Sequence, residues 1–193
     1  MSTVWFTSDI HFSHRLLAID IRRFDSVEEH DETIIENINK CVRKDDSLWI
    51  LGDLSLKKPD VFAPLFRRLK GNKYIIWGNY DYGWGGNREA YKFGKAYAEM
   101  GVLHANDYGR RKIDGHNVML SHFPYSGDHS LIERYDEYRL RNMGNPVLHG
   151  HTHEDKVIST AGVNTLQIHI GLDAWKLQPV EINTVVELLR LHT

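Results

Sequence analysis

Ser47-Leu48-Trp49-Ile50-Leu51-Gly52-Asp53-Leu54-Ser55 is an apolar run that ends on a glycine and a carboxylate. The apolar residues from Leu48 to Leu51 predict a short buried strand. Gly52 permits a sharp turn of the backbone, so that Asp53 stands clear of the strand's carboxyl end. Because open α/β sheets bind ligands at that edge, we expect Asp53 to lie at the centre of a site.

Four further apolar runs end on polar residues in the same way. They lead into Ser8-Asp9-Ile10-His11, Gly78-Asn79-Tyr80-Asp81, Ser121-His122 and His149-Gly150-His151-Thr152-His153. Asp, Asn or His thus follows an apolar run at the same relative point five times along the chain. This repetition predicts one composite metal site.

Length and composition limit the classes of protein that fit this chain. The 193 residues suit a single domain, residues 1–193, with a sizeable core. A formal charge of −2 provides no overall field to attract nucleic acid or a membrane surface. Cys41 is the single cysteine, which excludes an intramolecular disulfide and thiolate clusters. With no apolar run long enough to span a bilayer, we expect a cytoplasmic protein.

The first half of the chain alternates strands with helices. Ser26 and Glu29 match a capping box, and the helix after them has an apolar face that includes Cys41. Pro59 opens a second helix that is predicted to end near Gly71, and residues 88–100 predict a third. The core-facing residues predicted for the second helix are Val61, Phe62, Leu65, Phe66 and Leu69. The alternation predicts an α/β fold with largely parallel strands in this half.

The second half has a different pattern. The segments Arg110 to Ile113 and Asn117 to Leu120 flank Asp114-Gly115-His116, which is typical of a hairpin, and further short strands are predicted near residues 156–159 and 166–170. Residues 126–143 predict a loop with a surface helix that overhangs the site, and Asn183 is a candidate cap for a last helix. We therefore expect a four-layer α/β/β/α sandwich of two mixed sheets flanked by helices.

In this order, the motifs resemble the five blocks of the calcineurin-like metallophosphoesterase superfamily. The residues from Ile170 to Trp175 also resemble the tail of small bacterial and phage members, so the resemblance covers nearly the whole chain. It implies that one metal ion binds Asp9, His11, Asp53 and His153. It implies that a second ion binds Asp53, Asn79, His122 and His151, so that Asp53 bridges the two ions.

This resemblance implies two divalent metal ions and a phosphoesterase activity. Oxygen and imidazole donors without sulfur suit manganese, our first choice, or iron, zinc, cobalt or nickel. Two cations roughly 3.5–4 Å apart can hold a bridging hydroxide that attacks a phosphate in line. We expect a small phosphodiester or nucleotide as substrate, with 2′,3′-cyclic nucleotides as candidates. The alternatives are a phosphomonoesterase, a nuclease, which the lack of a basic stripe disfavours, or a catalytically silent interaction scaffold.

The chain departs from the family pattern at Tyr80, where the family usually has a histidine paired with an acidic residue. A phenol stays protonated at pH 7, so Tyr80 can donate a hydrogen bond but is a poor proton shuttle. One hypothesis assigns catalysis to Tyr80 and Asp81 with His14 as the proton source. The other hypothesis gives Tyr80 a packing role only.

Several other residues have weaker signals. Seven further histidines are predicted to lie at the surface or to contact the metal ligands from behind: His30, His104, His116, His129, His149, His169 and His192. His149 is the first candidate for a residue that supports a ligand, because it is next to the motif. Trp84, Tyr82 and Phe123 could stack on a nucleobase near the site. Arg22 could contact phosphate, although a solvated arginine is more common.

Overall fold

The computed structural model describes residues 2–128, 130 and 132–192, and ten strands lie within them. The strands are β1 (Val4–Thr7), β2 (Ser47–Ile50), β3 (Asn72–Ile76), β4 (Val102–Asn106), β5 (Tyr108–Ile113), β6 (His116–Ser121), β7 (Val147–His149), β8 (Ile158–Ala161), β9 (Thr165–His169) and β10 (Val180–Glu181). The α-helices described are α1 (Val27–Cys41), α2 (Pro59–Phe66), α3 (Gly94–Glu99) and α4 (Ile182–His192). None of the helices in these residues is long and apolar enough to cross a membrane.

The strands form two mixed sheets of five strands each. The first sheet has the order β10-β1-β2-β3-β4, in which β1 to β4 are parallel and β10 is antiparallel to β1. The second has the order β5-β6-β7-β9-β8, with parallel pairs in the middle and antiparallel pairs at both edges. This arrangement confirms the predicted α/β fold of two mixed sheets flanked by helices.

The central strand β2 is covered on both faces. Leu48 and Ile50 contribute to a core shared with α1, α2 and α3, whereas Trp49 packs against a second core. That second core contains residues of β6, β7, β9 and α4 together with residues of the first sheet. Because alternate side chains of a strand point to opposite faces, β2 contributes side chains to both cores.

The strand ends that carry the polar motifs are bonded to one another. The N–H of Asp9 donates to the Gly52 carbonyl at 3.0 Å, and the N–H of His11 donates to the Asp53 carbonyl at 2.9 Å. Ser8, after β1, also forms a parallel bridge with Gly171, after β9. The loops that leave the two sheets therefore meet at one edge, as the motif pattern predicts.

The N-cap at Ser26 and the hairpin are confirmed, but the Glu29 carboxylate accepts from the Asp25 N–H and not from the Ser26 N–H of a capping box. The Ser26 hydroxyl accepts from the Glu29 N–H at the start of α1, while Asp114 and Gly115 both adopt positive φ between β5 and β6. Cys41 is half-buried at the end of α1, so its predicted place in the core is only partly correct.

Two helix predictions were wrong in extent. Helix α2 ends at Phe66, not near Gly71, because tight turns follow Pro64, and Val61 is exposed, since the helix buries the face of Phe62 and Phe66. Residues 88–100 form a short 3₁₀ turn followed by α3, and a glycine at position 94 disfavours one continuous helix.

The remaining corrections concern loops and short strands. The described part of residues 126–143 contains one 3₁₀ turn, Asp136–Tyr138, in place of a surface helix. Helix α4 begins at Ile182, so Asn183 lies inside it and is not its cap. Strands β4 and β10 were not predicted because β4 is a largely exposed edge strand and β10 has two residues.

Candidate metal centre

Asp53 lies between two histidines at the edge where the strand ends meet. Its Oδ2 atom is 3.6 Å from His11 Nε2 and 3.4 Å from His122 Nε2. Its Oδ1 atom accepts the backbone N–H of Tyr80 at 3.0 Å. All four residues follow different strands or strand-like runs, and Asp53 is almost fully buried. One carboxylate oxygen thus faces imidazoles from both predicted halves of the site.

Two compact groups of donor atoms surround this carboxylate. Asp9, His11 and His153 form one group, and Asp9, Asp53 and His122 form the other, with the donor atoms of each group within 4.8 Å of one another. The Asp9 Oδ1 atom is 3.8 Å from His153 Nε2 and 4.0 Å from His11 Nε2. Five of the seven predicted ligands therefore converge in these groups.

Asn79 and His151 lie at the border of the second group. The Asn79 Oδ1 atom is 3.2 Å from His122 Nε2. The backbone N–H of His151 donates to both carboxylate oxygens of Asp9, and its ring centroid is 5.2 Å from that of His122. Among the described residues, the His151 ring belongs to neither compact group. The contact of His151 with the predicted ligand Asp9 is therefore made by its backbone N–H and not by its ring.

The backbone at these positions is strained. Five of the predicted ligands have positive φ, between 52° and 71°: Asp9, His11, Asp53, His151 and His153. For residues other than glycine this conformation is uncommon, and it costs about 1–3 kcal/mol where the surroundings enforce it. Residues held in such conformations cluster at active sites and ligand clamps.

Two glycines leave room for the carboxylates. A Cβ atom on Gly78 would lie 2.2 Å from Asp53 Oδ1, and one on Gly150 would lie 2.4 Å from Asp9 Oδ2. Both distances are far below van der Waals contact. The glycines of the two motifs are therefore required by the closeness of the carboxylates to the neighbouring backbone.

The electrostatics of this pocket favour a positive charge. Burial lowers the pKa of His122, but the facing Asp53 and, more weakly, Asp9 outweigh it and raise the pKa to about 9. The His122 Nδ1 atom lies 2.8 Å from the Leu51 carbonyl, which can only accept, so Nδ1 carries a proton. The Nε2 atom therefore faces Asp53 either as a proton donor or as a ligand of a cation.

The donor set fits divalent cations. Both ring nitrogens of His11 are buried and have no hydrogen-bond partner, which is costly for a polar side chain in a folded protein. Burial also holds the pKa of His11 well below its usual value, so the ring is neutral and able to coordinate metal. Carboxylates, an amide and imidazoles around an unsatisfied ring are the chemistry of a cation site.

His153 and His151 are each held by a carboxylate that was not among the predicted metal ligands. The Asp173 Oδ2 atom is 2.8 Å from His153 Nδ1, and the Asp128 Oδ2 atom is 3.1 Å from His151 Nε2. Because a carboxylate accepts, each contact assigns a proton to the contacted nitrogen and makes the other ring nitrogen the electron-pair donor. The sequence offers a signal for Asp173, since it follows a strand and Gly171, but none for Asp128 in its polar loop.

The residues predicted to be catalytic lie close to the centre. Asp81 is buried and accepts the backbone N–H groups of Asp53, Leu54 and Gly78 at 2.9–3.0 Å, which is a structural task. Burial, then repulsion from Asp53, raises the pKa of Asp81 to about 7. Burial lowers the pKa of His14, whose neutral ring suits a proton acceptor better than the predicted proton source. The catalytic roles of Tyr80, Asp81 and His14 stay predictions.

The histidines outside the motifs divide into two sets. His30, His149 and His169 are buried, and the His149 and His169 rings stack at 5.3 Å. His104 and His192 are exposed and His116 is half-buried, while His129 lies outside the described residues. Arg22, which we expected to contact phosphate or solvent, is instead buried against Asp173 at 2.8 Å and 2.9 Å.

Comparison with known proteins identifies the family. The sequence profile of the calcineurin-like phosphoesterase superfamily domain matches residues 3–179. The chain belongs to this superfamily. Calcineurin-like phosphoesterases are metal-dependent hydrolases of phosphate esters, so family membership supports divalent metal ions in the site described above.

Two relatives of this phosphoesterase come from mycobacteriophages, and a solved bacterial structure has a similar fold. The chain is 41% identical over 186 residues to the gene 66 protein of Mycobacterium phage L5, covering 91% of this chain and 88% of that one. The gene 66 protein of Mycobacterium phage D29 is 39% identical over 184 residues, covering 91% and 90%. The crystal structure of a protein of unknown function from Aquifex aeolicus is similar in fold, with a TM-score of 0.72, 20% identity and coverage of 97% and 100%.

Proposed function

We propose that this protein hydrolyses phosphodiesters with the help of two divalent cations held by the seven predicted ligands. The observation that carries the proposal is the position of Asp53 Oδ2 between His11 Nε2 at 3.6 Å and His122 Nε2 at 3.4 Å. A carboxylate placed there suits a bridge between two cations. Manganese is our first choice, since oxygen and imidazole donors suit it and sulfur is absent.

The residues of the centre have different roles in the proposed reaction. Asp9, His11, Asp53 and His153 would hold one cation, and Asp53, Asn79, His122 and His151 would hold the other. When bound, the cations supply charge to the phosphate oxygens and lower the pKa of a water molecule. Hydrolysis forms one bond from the water oxygen to phosphorus, breaks one ester bond and delivers a proton to the leaving oxygen. Tyr80, which is 39% exposed beside Asp53, can donate a hydrogen bond to that region.

The finer features of the proposal rest on the sequence. Cyclic nucleotides such as 2′,3′-cyclic phosphates are candidates by resemblance to small members of the superfamily, because a compact domain without large caps leaves an open cleft. The single cysteine is consistent with a cytoplasmic location. A formal charge of −2 favours small substrates over long nucleic acids.

A catalytically silent scaffold is the competing proposal from another class. The buried, unpartnered His11 and the five strained ligand positions oppose it, because a scaffold has no need for either feature. A phosphomonoesterase or a nuclease would use the same centre, and substrate tests separate these activities from a phosphodiesterase.

The test combines metal analysis with turnover. The purified protein is measured for bound metal and then for hydrolysis of bis(4-nitrophenyl) phosphate, 4-nitrophenyl phosphate and single-stranded RNA, before and after chelation. We expect two equivalents of metal and a preference for the diester that disappears with chelator and returns with Mn²⁺. Metal-loaded protein that leaves every phosphoester intact would contradict the proposal.

A further inference from the structure

Two clefts of similar size open on either side of Tyr80. The first has a volume of about 460 Å³ and is lined by His11, His14 and His153, with Leu16 and Ile21 on its wall. The second also has a volume of about 460 Å³ and is lined by Asn79, Tyr82 and Trp84 among others. Tyr80 lines both clefts and is therefore the ridge at their shared boundary.

The ridge is fixed at the candidate metal centre. The Tyr80 N–H donates to Asp53 Oδ1 at 3.0 Å, and the Tyr80 ring meets the His11 ring edge-on with centroids 5.7 Å apart. A phosphate held by the two proposed cations would therefore lie at the foot of the ridge. Both clefts begin at predicted ligands, since His11 and His153 line the first and Asn79 lines the second.

One wall of the first cleft is apolar and is formed by Leu16, Leu17 and Ile21, whereas the rest of the lining is largely polar. Leu16 and Ile21 are 56% and 54% exposed, and both belong to a six-residue π-helix, Leu16–Ile21. π-Helical turns are rare and are found frequently at functional sites. Exposed aliphatic side chains that line a cleft beside candidate ligands form a binding surface for an apolar group.

The second cleft has aromatic walls. Trp84 packs against Tyr138 and Tyr135 with ring centroids 4.6 Å and 5.6 Å apart, which holds its indole in place. Tyr82 is packed on Phe93 in the same way at 4.8 Å. Fixed aromatic rings bind planar groups such as nucleobases at little entropic cost, because they are already ordered.

We infer that the substrate is a linear phosphodiester whose two organic arms lie on opposite sides of Tyr80, an inference that rests on the proposed phosphodiesterase function. The planar arm, of the nucleoside class, occupies the aromatic cleft beside Trp84. The second arm is apolar and lies against Leu16 and Ile21. A monoester or a 2′,3′-cyclic nucleotide has only one organic arm and leaves one cleft without a ligand.

The test uses four probes that differ in their arms. Adenosine 5′-hexyl phosphate fills both clefts, adenosine 5′-methyl phosphate has a small second arm, 2′,3′-cyclic AMP has one arm, and dihexyl phosphate has no planar arm. KM and kcat are measured by chromatography with Mn²⁺-loaded protein, and binding is measured by calorimetry. For the wild-type protein we expect the lowest KM for the hexyl ester of adenosine.

Variants of each wall separate the two clefts. Leu16→Asn with Ile21→Asn should raise the KM of the hexyl ester about tenfold and leave that of the methyl ester within about twofold. Trp84→Leu should raise the KM of both adenosine diesters about tenfold and leave that of dihexyl phosphate unchanged. Leu103→Asn and Tyr91→Leu, at exposed residues outside the two clefts, are the matched controls and should change neither.

The ridge itself has its own pair of variants. Tyr80→Ala should remove the preference for linear over cyclic diesters, whereas Tyr80→Phe, which keeps the ring, should retain it. Circular dichroism and the Mn²⁺ stoichiometry show whether each variant is folded and loaded.

The possible failures are distinguishable. If the wild-type protein hydrolyses phosphoesters but Leu16, Ile21 and Trp84 variants affect all probes equally, the two-cleft inference is wrong and the phosphodiesterase proposal stands. Faster turnover of the cyclic nucleotide than of both adenosine diesters would also overturn it. If no probe is hydrolysed and calorimetry detects no binding of the hexyl ester, both proposals fail.

Discussion

The two histidines of Gly150-His151-Thr152-His153 are each held by a carboxylate, but the two carboxylates are anchored differently. Asp173 lies in the 3₁₀ turn Leu172–Trp175 that comes after β9, and it holds His153 at 2.8 Å. Arg22 binds both of its oxygens, and the same guanidinium donates to the Asp9 carbonyl and contacts His30. This half of the centre is connected to the loop after β1 and to helix α1 through buried groups.

The other half depends on an irregular loop. Asp128 holds His151 at 3.1 Å and is itself held by Arg134 at 2.9 Å and Arg139 at 3.5 Å. Arg139 is buried and also donates to the carbonyls of Pro124 and Gly127, whereas the Arg134 side chain is 38% exposed.

The comparison shows that the two histidines of one short motif are oriented by carboxylates from differently ordered parts of the fold. The half with Asp173 is built from groups that the fold orders anyway, and the half with Asp128 requires a long polar loop to be in place. We therefore expect the first half to be more rigid and more important for stability. We expect the second half to respond mainly through metal affinity.

The largest effect is expected where the halves meet. Asp53→Asn removes the charge that both halves share, so activity should fall on the order of 1,000-fold, the upper range for loss of one preorganised electrostatic group. Calorimetry should show that both cations bind more weakly. Asp60→Asn, at an exposed position of α2, is the control. A loss below tenfold, or of one cation only, would exclude Asp53 as the shared ligand.

Asp173→Ala should affect both stability and metal binding. It leaves the Arg22 charge, whose side chain is 3% exposed, without its partner, so the free energy of unfolding should fall by about 3–5 kcal/mol. The affinity for one cation should fall about 10–100-fold because His153 loses its orienting contact. Urea unfolding of metal-free protein and calorimetry measure the two effects separately. Unchanged stability would mean that Arg22 is not dependent on Asp173.

Asp128→Ala should separate the halves. The affinity for one cation should again fall at least about tenfold. The free energy of unfolding should fall by only about 1 kcal/mol, because water can solvate the partly exposed Arg134, and Arg139 is 3.5 Å from Asp128, whereas Arg22 bonds both oxygens of Asp173 at 2.8 Å and 2.9 Å. The same two measurements apply. If Asp128→Ala destabilised the metal-free protein as much as Asp173→Ala, the proposed difference between the halves would be wrong.

The smallest effect concerns the wild-type protein. Titration with Mn²⁺ should give two binding steps that differ by about tenfold in affinity. The loop around Asp128 loses conformational entropy when it becomes ordered on binding, whereas the half with Asp173 is already ordered. The Asp128→Ala variant should widen the gap, and the Asp173→Ala variant should close or invert it. Two equal steps in all three proteins would remove the basis for the comparison.

Local patterns predicted much of the fold. Ser26 caps α1 as predicted, because the signal lies within a few neighbouring residues. The edge strand β4 escaped prediction because its residues, Val102 to Asn106, are largely exposed and do not alternate strictly between apolar and polar. Helix ends were also less accurate, because backbone turns after Pro64 and around Gly94 depend on how the chain packs.

The residues of the candidate centre also separate into those predicted from local sequence patterns and those that only tertiary contacts place. Asp9, His11, Asp53 and His122 were predicted from apolar runs that end on polar residues, a pattern that parallel strands turn into a shared edge. Asp128 was not predicted, since it lies in a loop without periodicity and only the folded chain places it against His151. Arg22 was misjudged because its burial comes from contacts with a residue 151 positions away.

By itself, the sequence determined which polar side chains stand at strand ends, and hence the family and the donor chemistry of the centre, because those features depend on neighbouring residues. Only the tertiary structure decided which carboxylate holds which histidine, and that Tyr80 separates two clefts. Such contacts join distant parts of the chain, and their geometry exists only after both sheets have packed.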